Sequence, residues 1–139
     1  MDNLPTRHYI DLLHARRAVD AARDKAEDLG ISVVAAVVDP GGVVVTLDRM
    51  AGAPLLSLDV AVDKAWTAVS LGAPTQQVWD GIADQPDLVA GLAGRGRITL
   101  LGGGLPIIWN GSLVGAIGVS GGTAAEDVVC AESALAALG

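Results

Sequence analysis

Phenylalanine is absent from this 139-residue chain, tyrosine occurs once and tryptophan three times. A core without large aromatic plates has to be filled by Ala, Val and Leu, which dominate the 51% of hydrophobic residues. Side chains of that size let backbones approach closely, and eighteen glycines add tight turns. Charge is also scarce, at 18% of residues, but the apolar content is far above that of a disordered chain. A small domain with so little charged surface fits a homo-oligomer that shares part of that surface. Basic residues number nine against sixteen acidic ones, for a net charge of −7. That balance argues against nucleic acid and against anionic membrane surfaces, both of which need a basic stripe. Apolar runs such as Ile31–Val38 fall far short of the ~20 residues that span a bilayer. Met1-Asp2-Asn3-Leu4-Pro5 lacks the basic-then-apolar order of a secretion signal, so a cytoplasmic location is expected. The single cysteine, Cys130, excludes an internal disulfide and any multi-cysteine metal site. It falls at helical spacing among Val128, Val129 and Ala131, as a packed thiol would. The length suits one domain over residues 1–139.

The patterning alternates between two periods. Leu12, Ala15, Val19, Ala22, Ala26 and Leu29 recur at steps of three and four, predicting an amphipathic helix over about 8–29 that stops at Gly30. The run Ile31–Val38 reads as a strand covered on both faces, and Asp39-Pro40-Gly41-Gly42 as a turn into a second strand, Val43–Asp48. A helix over about Leu56–Leu71 follows, with Leu58, Val62, Ala65 and Val69 as its core stripe. Val60, Lys64, Thr67 and Leu71 align on its other side, as a second contact face for a ligand or another subunit. Short helices are predicted from Thr75, as a cap, to Ala83 and over Pro86–Ala93. Ile98–Leu101 reads as a short strand; Leu105–Trp109 and Ser112–Ser120 form a hairpin through Asn110-Gly111. Thr123 and Glu126 make a capping box for a final helix over about 124–138. Hairpin-linked strands favour an α/β (α+β) fold with an antiparallel sheet and flanking helices, not a parallel Rossmann-like one.

Few residues can carry chemistry. Gly102-Gly103-Gly104 precedes a strand, so it is no dinucleotide fingerprint. Gly118–Thr123, including Ser120, runs into a helix N-terminus and could offer N–H groups to an anion, although Glu126 places negative charge there. Arg49 could grip a carboxylate, and Lys64, partly buried beside Thr67, could act as acid or base. The plainer reading has Asp39 capping its turn, Arg49 pairing locally and Lys64 snorkelling to the surface. His8 and His14 are six residues apart, on different faces of one helix, and cannot form an i, i+4 metal pair. His14 lies at the edge of the apolar stripe, where a flat ligand could fit if subunits met. Neither histidine can be tied to a nucleophile.

Asp39-Pro40-Gly41-Gly42 with Arg49-Met50-Ala51-Gly52-Ala53, then Ser57, Ala61, Lys64-Ala65 and Thr67-Ala68, form an ordered set. Gly103-Gly104, Pro106-Ile107, Asn110-Gly111, Val114–Gly122 and Asp127 complete it. Together they resemble the GlcG/HbpS-like family, which includes the PduO C-terminal domain, over roughly residues 8–138. The resemblance implies a profilin-like or PAS-like sheet of about five antiparallel strands, assembled into oligomers. It implies a small-molecule ligand, with haem or another tetrapyrrole as the cofactor, and a role in bacterial small-acid catabolism. It strengthens Arg49, Lys64, Thr67, Gly103 and Gly104 as ligand-contacting positions, with Asp39 and Ser120 beside them as further ligand candidates; His14 is the haem-ligand candidate by its place in the first helix, although the residues around it match no family motif. Two departures stand out: Ala51 where an acidic residue is usual, and Trp66 where smaller residues are common. The competing expectation is an isomerase, lyase or hydrolase of small acids. In it Arg49 orients a carboxylate, Lys64 is the catalytic acid or base, and glycine-rich backbone stabilises an oxyanion. A third is an accessory subunit with neither ligand nor turnover.

Overall fold

The computed structural model describes residues 1–139. Its elements are α1 (Leu12–Leu29), β1 (Val34–Val38), β2 (Val44–Arg49), α2 (Leu56–Leu71), α3 (Thr75–Ile82), α4 (Pro86–Ala93), β3 (Gly104–Trp109), β4 (Ser112–Ser120) and α5 (Ala124–Ala136). The four strands form one antiparallel sheet in the order β2-β1-β4-β3. This is an α+β architecture with four strands where about five were expected. The missing one is Ile98–Leu101, which forms no ladder. Its Thr99 amide instead donates to the Thr67 hydroxyl at 3.0 Å, so the segment is held on α2 and not on the sheet edge.

The sheet lies between two helical layers, which explains the unbroken apolar run in β1. Ala35 and Val37 face the core made with α1 and α5; Val34, Ala36 and Val38 face α2. The first core contains Ala15, Ala18, Val19, Ala22 and Ala26 of α1 and Cys130, Ala131 and Ala134 of α5. With these eight positions filled by alanine, valine and cysteine, the helices can sit close to the sheet. Both C-terminal glycines, Gly30 and Gly72, adopt the left-handed conformation that ends α1 and α2. The Thr123–Glu126 capping box is present at the start of α5. No helix is long and apolar enough to cross a membrane.

Three local expectations change. First, α1 begins at Leu12, not at His8. Asp11 caps it by accepting the His14 amide at 2.8 Å, while the Ile10 amide donates to the Val114 carbonyl at 2.9 Å. The residues before Asp11 are therefore not helical, and Ile10 is tied to β4. Second, α2 is rotated from the expected stripe: Ser57, Ala61, Lys64, Ala65 and Ala68 are buried, whereas Leu58 and Val62 are only half-buried. Lys64 and Thr67 of the expected contact face thus pack inward, while Leu71 on the same face is exposed. The sheet beneath presents Gly104 and Gly118, which are paired in register and leave room only for small residues. Third, Thr75 does not cap α3. Its hydroxyl accepts the Gly104 amide at 3.0 Å, tying α3 to the first residue of β3.

Candidate functional site

Two polar constellations stand out in an otherwise aliphatic molecule. The first is internal. Lys64 is 1% exposed, and its Nζ donates to Asp127 Oδ2 and to the Val119 carbonyl, both at 2.9 Å. The other carboxylate oxygen of Asp127 accepts the Gly122 amide at 2.9 Å. Burial pushes Lys64 below its ordinary pKa, and the carboxylate of Asp127 partly restores it. Burial likewise pushes Asp127 upward, opposed by Lys64 and by the amides of Gly122 and Gly121. Gly103 and Gly104 belong to the same cluster. A Cβ on Gly103 would lie 2.9 Å from Lys64 Nζ, and one on Gly104 would strike the Lys64 carbonyl.

Sequence reasoning grouped Lys64, Gly103 and Gly104 with five other residues around a ligand; the structure places these three at an ion pair and the others elsewhere. Lys64 has its ammonium satisfied from within the chain. Thr67 is buried, accepting from Thr99 and donating to the Arg97 carbonyl at 3.4 Å. Arg97 in turn lies over Trp66, 4.6 Å from the ring centroid, so the large residue at that position holds the loop before β3. Ser120 is buried and meets Ser57 at 3.3 Å. Asp39 caps its own turn through the amides of Gly41 and Val43. Arg49 ends the edge strand β2, exposed and without an ion pair. The amides of Gly122 and Thr123, the candidates for anion binding, are taken by Asp127 and Glu126. Arg49 and Lys64 therefore do not share a bond or an ion pair.

The second constellation is an open cleft of about 380 Å³ between the start of α1 and the β3–β4 hairpin. Tyr9, Ile10, Ile107, Ile108, Trp109, Val114 and Leu138 supply its apolar walls, and His8, Asp11 and His14 its polar ones. The His14 side chain is 48% exposed, and its Nδ1 lies 2.6 Å from Asp11 Oδ1. Asp11 is held below the usual carboxylate range, chiefly by the His14 amide and then by the His14 ring. An ionised carboxylate can only accept, so the contact needs a proton on Nδ1; in the neutral ring this leaves the lone pair on Nε2. His8 meets Trp109 edge-on at 5.2 Å between ring centroids. The sequence pointed to His14 but missed Asp11 and the walls. The Asp-x-x-His spacing of a capped first turn was the available signal.

A family model described as haem-degrading protein HbpS-like matches residues 10–136. The chain belongs to the HbpS-like family. It is 39% identical over 127 residues to an uncharacterised 15.0 kDa protein of the dhaT-dhaS intergenic region of Citrobacter freundii, covering 91% of this chain and 89% of that one. It is 36% identical over 123 residues to the corrinoid adenosyltransferase PduO of Salmonella typhimurium, covering 85% of this chain and 35% of that one. The chain thus spans only about a third of PduO. Among solved structures, HbpS of Streptomyces reticuli, as a double mutant, superposes with a TM-score of 0.90 at 34% identity, covering 100% of this chain and 93% of that one. A PduOC–haem complex superposes with a TM-score of 0.84 at 32% identity, covering 93% and 94%. As an HbpS-like chain, this protein has structural neighbours that include a haem complex.

Cys130 lies outside both constellations, in the α1–α5 core, and burial pushes its thiol up to about 11. Alkylation by iodoacetamide at neutral pH is expected to be negligible in the native protein and rapid in denaturant. Fast labelling of the folded protein would contradict this packing.

Proposed function

We propose that this HbpS-like protein binds haem or a related tetrapyrrole through His14, in the cleft between α1 and the β3–β4 hairpin. The observation that carries the reading is His14 itself, its Nδ1 anchored by Asp11 and its ring bordering an apolar cleft. The donor set fits a haem. The His14 imidazole would supply a nitrogen ligand to the iron, and aliphatic and aromatic side chains would offer flat cover for a macrocycle. When bound, the group supplies an iron centre for redox or ligand chemistry. Tyr9, Ile108 and Trp109 are 62%, 56% and 54% exposed around the cleft, so one protomer covers only one side of such a ligand. A second copy would cover the other, which supports a homo-oligomer built around the ligand.

Titration of the purified protein with haemin is expected to give a shifted Soret band at a fixed stoichiometry. His14→Ala is expected to weaken binding by at least about tenfold, since it removes the ligating nitrogen. Identical titrations for the two proteins would overturn the assignment.

A further inference from the structure

Asp11 does two jobs with one carboxylate. Oxygen Oδ1 accepts the His14 amide at 2.8 Å, capping α1, and the same oxygen lies 2.6 Å from His14 Nδ1. A cap needs only the first contact; serine or asparagine would serve equally well there. The second contact fixes the imidazole. Nδ1 must carry the proton, against the usual preference of free histidine for Nε2–H, and the ring plane is tied to the helix terminus. Asp11 and His14 both border the cleft, and no other carboxylate or histidine ring is bonded to this pair.

We propose that Asp11 is a positioning residue for His14: it selects the tautomer with Nε2 free, orients the ring, and makes Nε2 a stronger donor toward a bound haem iron. The proposal rests on the haem reading above but concerns a different residue and a separate property. A hydrogen bond from Nδ1–H to an anionic carboxylate gives the imidazole partial imidazolate character. Extra electron density at the axial ligand favours the ferric over the ferrous state. Asp11 should therefore strengthen haemin binding and lower the reduction potential of the bound haem.

Two substitutions separate the jobs. Asp11→Ser retains a capping oxygen but is too short to reach Nδ1. Asp11→Asn retains both contacts and removes the charge. In the ligand-free protein, ¹⁵N shifts of the His14 ring, recorded well above the ordinary imidazole range, are expected to show Nδ1–H in the wild type and a move toward Nε2–H in Asp11→Ser. With haemin loaded, Asp11→Ser is expected to lose about 10- to 100-fold in affinity, the usual loss when the partner of a metal-bound histidine is removed. Both variants should raise the haem reduction potential, Asp11→Asn without a change in circular dichroism or thermal unfolding.

Wild-type haemin binding with an unaltered tautomer and potential in Asp11→Ser would overturn the positioning role and leave the haem reading standing. A wild type that binds no haemin would overturn both the haem reading and the proposed donation. The ¹⁵N shifts would still report whether Asp11 holds the ring.

Discussion

Truncating Asp127 to alanine is expected to lower the free energy of unfolding by about 3–5 kcal/mol, the range for removing one member of a buried ion pair. Lys64 would then hold an ammonium at 1% exposure with the Val119 carbonyl as its remaining partner. The loss reflects the stranded charge more than the strength of the bond. A double variant, Lys64→Met with Asp127→Leu, is therefore expected to recover most of the stability, because neither desolvated charge remains. In Asp127→Asn, burial pushes Lys64 down without an anionic neighbour to restore it. An unfolded lysine titrates near 10.5, so between the lowered value and 10.5 the unfolded chain binds more protons than the folded one. Stability must then rise with pH through that window, more steeply in Asp127→Asn than in the wild type. Urea unfolding at a series of pH values checks both statements. A loss below about 1 kcal/mol in Asp127→Ala, or a slope of opposite sign, would mean that the pair does not hold α5 to the sheet.

Much of this architecture was legible along the chain because its signals are local. The helix-ending glycines Gly30 and Gly72, the Thr123–Glu126 box and the Asn110-Gly111 turn each act within a few residues, and each is where the pattern puts it. The doubly covered β1 was legible from its unbroken apolar run. What was not legible depends on partners far apart in sequence. Lys64 and Asp127 are 63 positions apart, and no periodicity indicates that an inward-facing lysine has a buried carboxylate waiting for it. Ile98–Leu101 has the composition of a strand, but Thr67 captures its backbone. The candidate cleft was half visible. His14 stood at the edge of a stripe, whereas the walls of the cleft come from Tyr9 and Ile10, from both strands of the β3–β4 hairpin near its turn, and from Leu138. Asp11 was obscured because the helix was expected to start at about residue 8, whereas Ile10 is bonded to β4 and the helix starts only at Leu12.

Gly118→Ala is expected to be the most damaging single-methyl addition in the protein, at about 3 kcal/mol or more, the upper end for overpacking a core. Gly118 has an ordinary strand conformation, so the effect does not come from backbone freedom. It comes from proximity: a Cβ there would drive into the Ala61 carbonyl and lie 2.7 Å from the Ala65 amide nitrogen. Both are backbone atoms of α2, which cannot rotate away as a side-chain tip could. Across the ladder Gly118 is paired with Gly104, whose own Cβ would meet the Lys64 carbonyl. The two glycines form a flat platform on which one turn of α2, Ala61 to Ala65, rests backbone to backbone. Lifting α2 would open the Val34, Ala36 and Ala61 cluster and pull Lys64 away from Asp127. A matched control is Gly91→Ala, within α4, where an added Cβ meets nothing within 4 Å. Helix propensity alone predicts a gain there of up to about 1 kcal/mol. Denaturant midpoints for the two variants should therefore move in opposite directions. If Gly118→Ala were as stable as Gly91→Ala, α2 would have to sit farther from the sheet than these contacts allow, and the inward burial of Lys64 would fall with it.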